Sequence, residues 1–125
     1  MILGIGTDIA SLERIEKGLA RFGGRFEERI LSGRELASVP SGTRRASFLA
    51  GRWAAKEACA KALGTGFAGG IGPTEIAIVN DALGAPRLVL EGAALARLRR
   101  LGCTRTHVSI SHDAGSAVAF VVLEG

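Results

Sequence analysis

The chain has 125 residues, 47% of them hydrophobic and 22% charged, with a formal net charge of +4. This composition belongs to a folded chain, not a disordered one, and the length suits a single domain, residues 1–125, with one core and no need of disulfides or a structural metal. No apolar run reaches the roughly 20 residues that span a bilayer, and MILGIGTDIA, with an acid at position 8 and no basic leader, predicts neither a signal peptide nor a membrane partner.

Two cysteines, Cys59 and Cys103, form no CxxC pair, and they point to a reducing, cytoplasmic setting. Residues 1–61 hold eleven Lys/Arg against seven Asp/Glu, whereas residues 62–125 hold five of each. The basic excess therefore sits in the first half. Arginine supplies thirteen of the sixteen basic residues, and its planar fork suits phosphate and carboxylate partners. The charge suits an acidic macromolecule or a phosphorylated small molecule, or is a soluble surface with no special partner.

In chain order, MILGIGTDI reads as a short buried strand whose glycines permit close backbone approach. Ser11 caps a helix in which Leu12, Ile15, Leu19 and Phe22 recur at helical spacing. Arg14 and Arg21, seven apart, share a face away from that stripe. Gly23-Gly24 breaks the pattern before a short helix, RFEERIL, and SGRELASVPSGT reads as a loop with at most one helical turn at RELAS. A long helix is predicted from Thr43 to Leu63, followed by the glycine-dense loop GTGFAGGIGP. EIAIVND and RLVLE form a hairpin across ALGAP. GAALARLRRLG is an amphipathic helix ending on Gly102, and HVSIS and AVAFVVL are strands joined at HDAG. The order β-α-α-α-β-β-α-β-β predicts an α+β (mixed α/β) domain.

Charge in the long helix falls on two stripes. At about 100° per residue, Arg52 and Lys56 each lie within roughly 20° of Arg45. Glu57 and Lys61 make the second stripe, near Gly64. An exposed Glu57–Lys61 pair would contribute only a few tenths of a kcal/mol. The surrounding Ala54, Ala55, Ala58 and Ala62 instead suggest a buried helix, whose charges need partners or a ligand. Gly64-Thr65-Gly66 is a helix stop or a backbone open to phosphate, and is no Walker A loop. Asp8 is a turn former or, with Glu57, one of two carboxylates for Mg²⁺. No His/Cys set for zinc is present. In HVSISHD, His107, Ser109 and Ser111 share one strand face, and His112 and Asp113 lie at the turn. These residues line a phosphate site or are ordinary strand polarity.

Together GIGTDI, RFEERIL, FLAGRWAAKEACAKALGTG, GAPRL and HVSISHD…AVAFVVLE resemble the bacterial holo-[acyl-carrier-protein] synthases, the short class of 4′-phosphopantetheinyl transferases. WAAKEACAKALGTG is similar to the family signature, Trp/Phe-x-x-Lys-Glu-x-x-x-Lys followed by Gly-Thr-Gly. The resemblance covers nearly the whole chain. It implies a small antiparallel-rich sheet packed on a long helix, assembled as a trimer with sites at subunit interfaces. It implies Mg²⁺-dependent transfer of 4′-phosphopantetheine from coenzyme A to a serine of apo-acyl carrier protein, in fatty acid biosynthesis, releasing adenosine 3′,5′-bisphosphate.

By position, Asp8 and Glu57 match the metal carboxylates and Lys61 the lysine at the phosphates. Arg52, Gly64, Gly66, Pro86, Ser111 and His112 fall where the family surrounds coenzyme A. Arg14, Arg21 and Arg25 match the surface for the acidic carrier helix, and Arg44 and Arg45 serve a neighbour's site. The chain departs from the family at Ala85, where lysine is common, and at Ser116, where an aromatic is common. Glu57 is the leading general base, directly or through a metal-bound water, and Lys56 has a phosphate or an interface as its partner. Against this stand a basic RNA-binding module, another Mg²⁺-dependent nucleotide enzyme, and a non-catalytic carrier-binding homologue. Aromatics at 5% give no basic–aromatic platform for nucleic acid, and intact Asp8, Glu57 and Lys61 argue for catalysis.

Overall fold

The computed structural model describes residues 1–125. Strand β1 (Ile2–Ser11) leads into helices α1 (Leu12–Phe22), α2 (Gly24–Ile30) and α3 (Gly33–Leu36). A 3₁₀ turn, Gly42–Arg44, opens the long helix α4 (Arg45–Ala62). A second 3₁₀ turn, Pro73–Glu75, precedes strands β2 (Ile76–Asn80) and β3 (Pro86–Leu90). Helix α5 (Gly92–Arg100) and strands β4 (Arg105–Asp113) and β5 (Ser116–Glu124) complete the chain. All strand pairs are antiparallel: one sheet has the order β1-β5-β4, and β2-β3 is a separate hairpin. The expected α+β architecture is therefore present. No helix is long and apolar enough to cross a membrane.

Helix α4 lies across the inner face of the three-stranded sheet, and small residues set the closeness. Ala54, Ala55, Ala58 and Cys59 have no solvent exposure, and neither do Ala117, Ala119, Val121 and Leu123 of β5. Gly6 is required: a Cβ there would stand 1.8 Å from the carbonyl oxygen of Ala58, and one at Gly4 would stand 2.0 Å from that of Ala62. Backbone meets backbone, which only glycine allows. This contact carries Asp8 to the C-terminal half of α4.

Some boundaries differ from expectation. The one helical turn expected at RELAS is present as α3, with Glu35 Oε1 accepting from the Ser32 amide at 2.9 Å at its start. Strand β1 runs to Ser11, whose hydroxyl still caps α1 by accepting from the Arg14 amide at 3.3 Å. Strand β4 extends through His112 and Asp113, which pair with Ala117 and Ser116, so the turn is Ala114-Gly115 alone.

Candidate active site

Three side chains meet where β1 crosses α4. The Lys61 ammonium donates to Asp8 Oδ1 at 2.8 Å and to the Thr7 carbonyl at 3.0 Å. Its third proton faces solvent, since the side chain is 55% exposed while that of Asp8 is 12% exposed. Glu57 stands one turn before Lys61, half-buried beside Asp8. Burial pushes its carboxyl up to about 7; the Asp8 carboxylate, by hydrogen bond and by charge, adds to the rise, and Lys61 and Arg14 oppose it. The Asp8 contact in turn raises the Lys61 ammonium.

Two carboxylates from separate elements thus share one small volume. The pair fits Mg²⁺: both supply hard oxygen donors, and their mutual repulsion is what a divalent cation relieves. No cluster of three His, Cys, Asp or Glu side chains exists to cage a metal, so Mg²⁺ at this pair would need substrate oxygens and water for its other ligands.

Arg14 also belongs here. It lines, with Asp8 and Glu57, a cavity of about 370 Å³ between β1, α1, α2 and α4. No cavity was expected of Ile15, placed in a helical stripe, or of Trp53, the first residue of the signature, yet with Ile9, Ala10, Phe26 and Ile30 they form its apolar part. Trp53 stacks on Phe67 at 5.7 Å between ring centroids, folding the glycine-rich loop back over α4.

Gly64 and Gly66 occupy this loop with φ of +80° and +58°, values that side chains rarely adopt. Their amides donate to Lys61 O at 2.9 Å and Ala60 O at 3.0 Å, so they close α4 and are not free for a phosphate. Arg97 of α5 joins them, donating from Nε to Leu63 O at 2.9 Å. It is a cation next to Gly64 that no local motif announced.

The remaining residues expected around coenzyme A do not converge on this point. The stripe of Arg45, Arg52 and Lys56 turns inward. Arg52 is 9% exposed, lies 4.2 Å from the Phe48 ring centroid and donates to Asn80 Oδ1 at 3.3 Å, while its Nε has no partner. Burial lowers its pKa. Asn80 pairs with Pro86 across the β2-β3 hairpin, which places Arg52 and Pro86 together on the other side of α4. His112 donates from Nε2 to Ser47 O at 3.0 Å, near the start of α4, beside a cavity of about 200 Å³. Ser111, its neighbour, alternates to the exposed outer face of the sheet.

Lys56 contacts neither a phosphate site nor an interface within this chain. Its ammonium donates to Glu35 Oε1 at 2.5 Å, Ile76 O at 2.6 Å and Pro73 O at 2.9 Å, with no solvent exposure at either charged side chain. All three protons are used. The expectation for Lys56 is corrected: it is an internal staple between α4, α3 and β2. Arg45 is paired with Glu27 of α2, while Arg44, Arg21 and Arg25 are exposed. The Arg21 guanidinium lies 5.1 Å from the Phe22 ring centroid.

A sequence profile of the 4′-phosphopantetheinyl transferase superfamily matches residues 4–121. The chain belongs to that superfamily. Within the superfamily it is 57% identical over 124 residues to the holo-[acyl-carrier-protein] synthase of Desulfovibrio desulfuricans, covering 99% of this chain and 98% of that one. It is 47% identical to the synthase of Halorhodospira halophila, with 98% of each covered. The crystal structure of the transferase from Neisseria meningitidis superposes with a TM-score of 0.90 at 44% identity, covering all of both chains. That of the Helicobacter pylori synthase in complex with coenzyme A gives 0.83 at 38% identity, covering 96% of this chain and 99% of that one.

Proposed function

We infer that this protein is a holo-[acyl-carrier-protein] synthase, transferring 4′-phosphopantetheine from coenzyme A to a serine of apo-acyl carrier protein. The observation that carries this reading is the Asp8–Glu57–Lys61 cluster beside a cavity, in a chain 57% identical to such a synthase over its length. The serine hydroxyl attacks the β-phosphorus, its new O–P bond forms, and the bond to the 5′-phosphate of adenosine 3′,5′-bisphosphate breaks. Asp8 and Glu57 are the residues that would hold Mg²⁺, which when bound supplies charge neutralisation for the pyrophosphate. Lys61 offers its remaining proton to a phosphate oxygen where negative charge builds. Glu57, directly or through a metal-bound water, is the leading side chain to take the serine proton. Exposed Arg14, Arg21 and Arg25 on α1 and α2 receive the acidic face of the carrier.

A trimer with shared sites accounts for the rest. Arg52 with Pro86, and His112, stand apart from Asp8 in one chain, so a second subunit would have to complete the nucleotide site. The outer sheet face supports such an assembly, because Ile5, Ile9 and Phe120 are 63%, 65% and 52% exposed there. Two free cysteines agree with a cytoplasmic setting and a single unbridged domain. No basic–aromatic surface favours RNA.

The test is to incubate the protein with apo-carrier, coenzyme A and Mg²⁺ and weigh the carrier. A phosphopantetheine-sized increment is expected. Its absence with an acceptor validated by another transferase overturns the assignment.

A further inference from the structure

The segment between α4 and β2 is tied at both ends to one element, α5. At its start, Arg97 Nε donates at 2.9 Å to the carbonyl of Leu63, the C-cap of α4. At its end, Glu75 Oε2 accepts from the amide of Ala93, in the first turn of α5, at 3.0 Å. Gly92 permits that contact, since a Cβ there would stand 1.9 Å from the same oxygen. Ala93 and Arg97 are one turn apart and share a face of α5. The glycine-rich loop lies against that face: a Cβ on Gly64 would be 3.5 Å from Arg97 Nη2, and one on Gly70 would be 3.8 Å from the Ala93 Cβ.

We propose that Arg97 is a positioning residue for the transfer reaction. From α5 it fixes the last turn of α4 and the loop after it, and through that turn the Lys61 ammonium. The proposal rests on the transferase reading of the site.

The path from Arg97 to Lys61 is short. The last carbonyls of a helix have no partner within it. Here the Lys61 and Ala60 carbonyls accept from the amides of Gly64 and Gly66, and the Leu63 carbonyl is left to Arg97. A guanidinium at this place also faces the negative end of the α4 dipole. The Lys61 side chain is 55% exposed, so packing does not hold it. Its place is set by its backbone and by its bonds to Asp8 and the Thr7 carbonyl. Gly64, Gly66, Gly69 and Gly70 all have positive φ. A loop so rich in glycine has little stiffness of its own, and its ties decide where it lies. Arg99 and Arg100, on the same helix, are exposed, whereas Arg97 is half-buried against the loop.

The loop also has a remote tie, the stack of Phe67 on Trp53. Trp53 stands ten residues before Leu63, about 15 Å along the helix, so a change at Arg97 reaches the indole through the loop. Trp53 is the only tryptophan and the chain has no tyrosine, so its emission reads the loop's position.

The wild type is compared with Arg97→Ala, Arg97→Lys and Arg99→Ala, each well below its unfolding midpoint. Trp53 emission is recorded, and kcat and KM are measured with apo-carrier, coenzyme A and Mg²⁺. Arg97→Ala should shift the emission, lower kcat about tenfold and leave the KM of coenzyme A within about twofold. Arg97→Lys, which can donate to the same carbonyl, should restore the emission and most of kcat. Arg99→Ala removes the same charge and should change neither. Wild-type emission and kcat in Arg97→Ala, whatever its melting temperature, reduce Arg97 to a helix cap and overturn the proposal. A rise of about tenfold in the KM of coenzyme A at unchanged kcat makes Arg97 a ligand contact and also overturns it. If Arg97→Ala does not fold, Arg97→Met, which keeps the aliphatic stem without the donor, is read by the same measurements. No transfer by the wild type to an acceptor validated with another transferase removes the transferase reading alone. The emission of the variants then still decides whether Arg97 sets the loop.

Discussion

Lys56 and Glu35, twenty-one positions apart, form a fully buried ion pair at 2.5 Å that fastens the long helix to α3 and β2. Glu35 also accepts from the amides of Ser32 at 2.9 Å and Ile78 at 3.1 Å, and the Lys56 ammonium has three acceptors. Burial lowers the Lys56 pKa, and the Glu35 charge opposes that shift. Such a pair is satisfied only as a unit. Lys56→Met strands a carboxylate and should destabilise the protein by about 3–5 kcal/mol. Replacing both residues with apolar side chains of similar size should recover most of that loss. Urea unfolding of the two variants measures it, and a loss below about 1 kcal/mol for Lys56→Met would contradict the staple.

Glu57 makes stability depend on pH and metal together. Its carboxyl rises from 4.5 to about 7 on folding. Between these values the folded protein holds a proton there that the unfolded chain has released. Stability from this group therefore falls as pH rises from about 4.5 to 7 and stays lower above. Mg²⁺ held by Asp8 and Glu57, as proposed above, would offset the loss. The rise in melting temperature on adding Mg²⁺ should be larger at pH 8 than at pH 5.5. Glu57→Gln should abolish both the metal increment and this part of the pH slope, as thermal unfolding with and without chelator will report.

The glycines of GIGTDI give a test of geometry. Gly6→Ala places a Cβ against the Ala58 carbonyl, and β1 must withdraw, taking Asp8 from Glu57. A loss of about 3 kcal/mol and loss of transfer activity are expected. Gly24→Ala is the control. Nothing lies within 4 Å of its Cβ, its φ is not positive, and it begins α2. That change should be neutral or stabilising by up to ~1 kcal/mol. Denaturation midpoints and the carrier mass assay separate the two.

Arg14 and Arg21 share a face of α1 but differ in reach. Arg14 lines the cavity with Glu57, whereas Arg21 is exposed in the last turn. Arg21→Ala should raise the carrier's KM by up to about fivefold, ~1 kcal/mol, without changing kcat, and the effect should shrink with salt. Arg14→Ala should lower kcat as well. Steady-state kinetics with carrier varied at saturating coenzyme A give both constants.

Cys59 has no solvent exposure, and burial pushes its thiol up to about 12, while Cys103 is partly exposed. Iodoacetamide should label only Cys103 in the native protein and both thiols in urea. Native labelling of Cys59 by mass spectrometry would show that α4 opens readily.

Much of this site was legible locally. Ser11 before an apolar 3–4 pattern announced the α1 cap, the alanines of α4 announced burial, and Asp8, Glu57 and Lys61 stood out as charges inside apolar elements. The two glycines of GIGTDI signalled the close approach that brings those charges together. These features depend on chain-local geometry: a cap, a period, a missing Cβ.

Periodicity states which residues share a face, not what covers it. Arg45, Arg52 and Lys56 do share a face, yet α2, α3 and the β2-β3 hairpin cover it, so a stripe that looked ready for phosphates is largely internal. Glu35 stands in a segment that reads as a loop, and only the packing of α3 on β2 makes it the partner of Lys56. Phe26 and Trp53 carried no local mark of a cavity, which exists only because β1, α1, α2 and α4 pack around it. Sequence alone determined the charged groups and the helix and strand that carry them. Tertiary packing decided which of those charges are spent inside the fold and which face a ligand, because burial and partner choice arise from contacts between residues far apart in the chain.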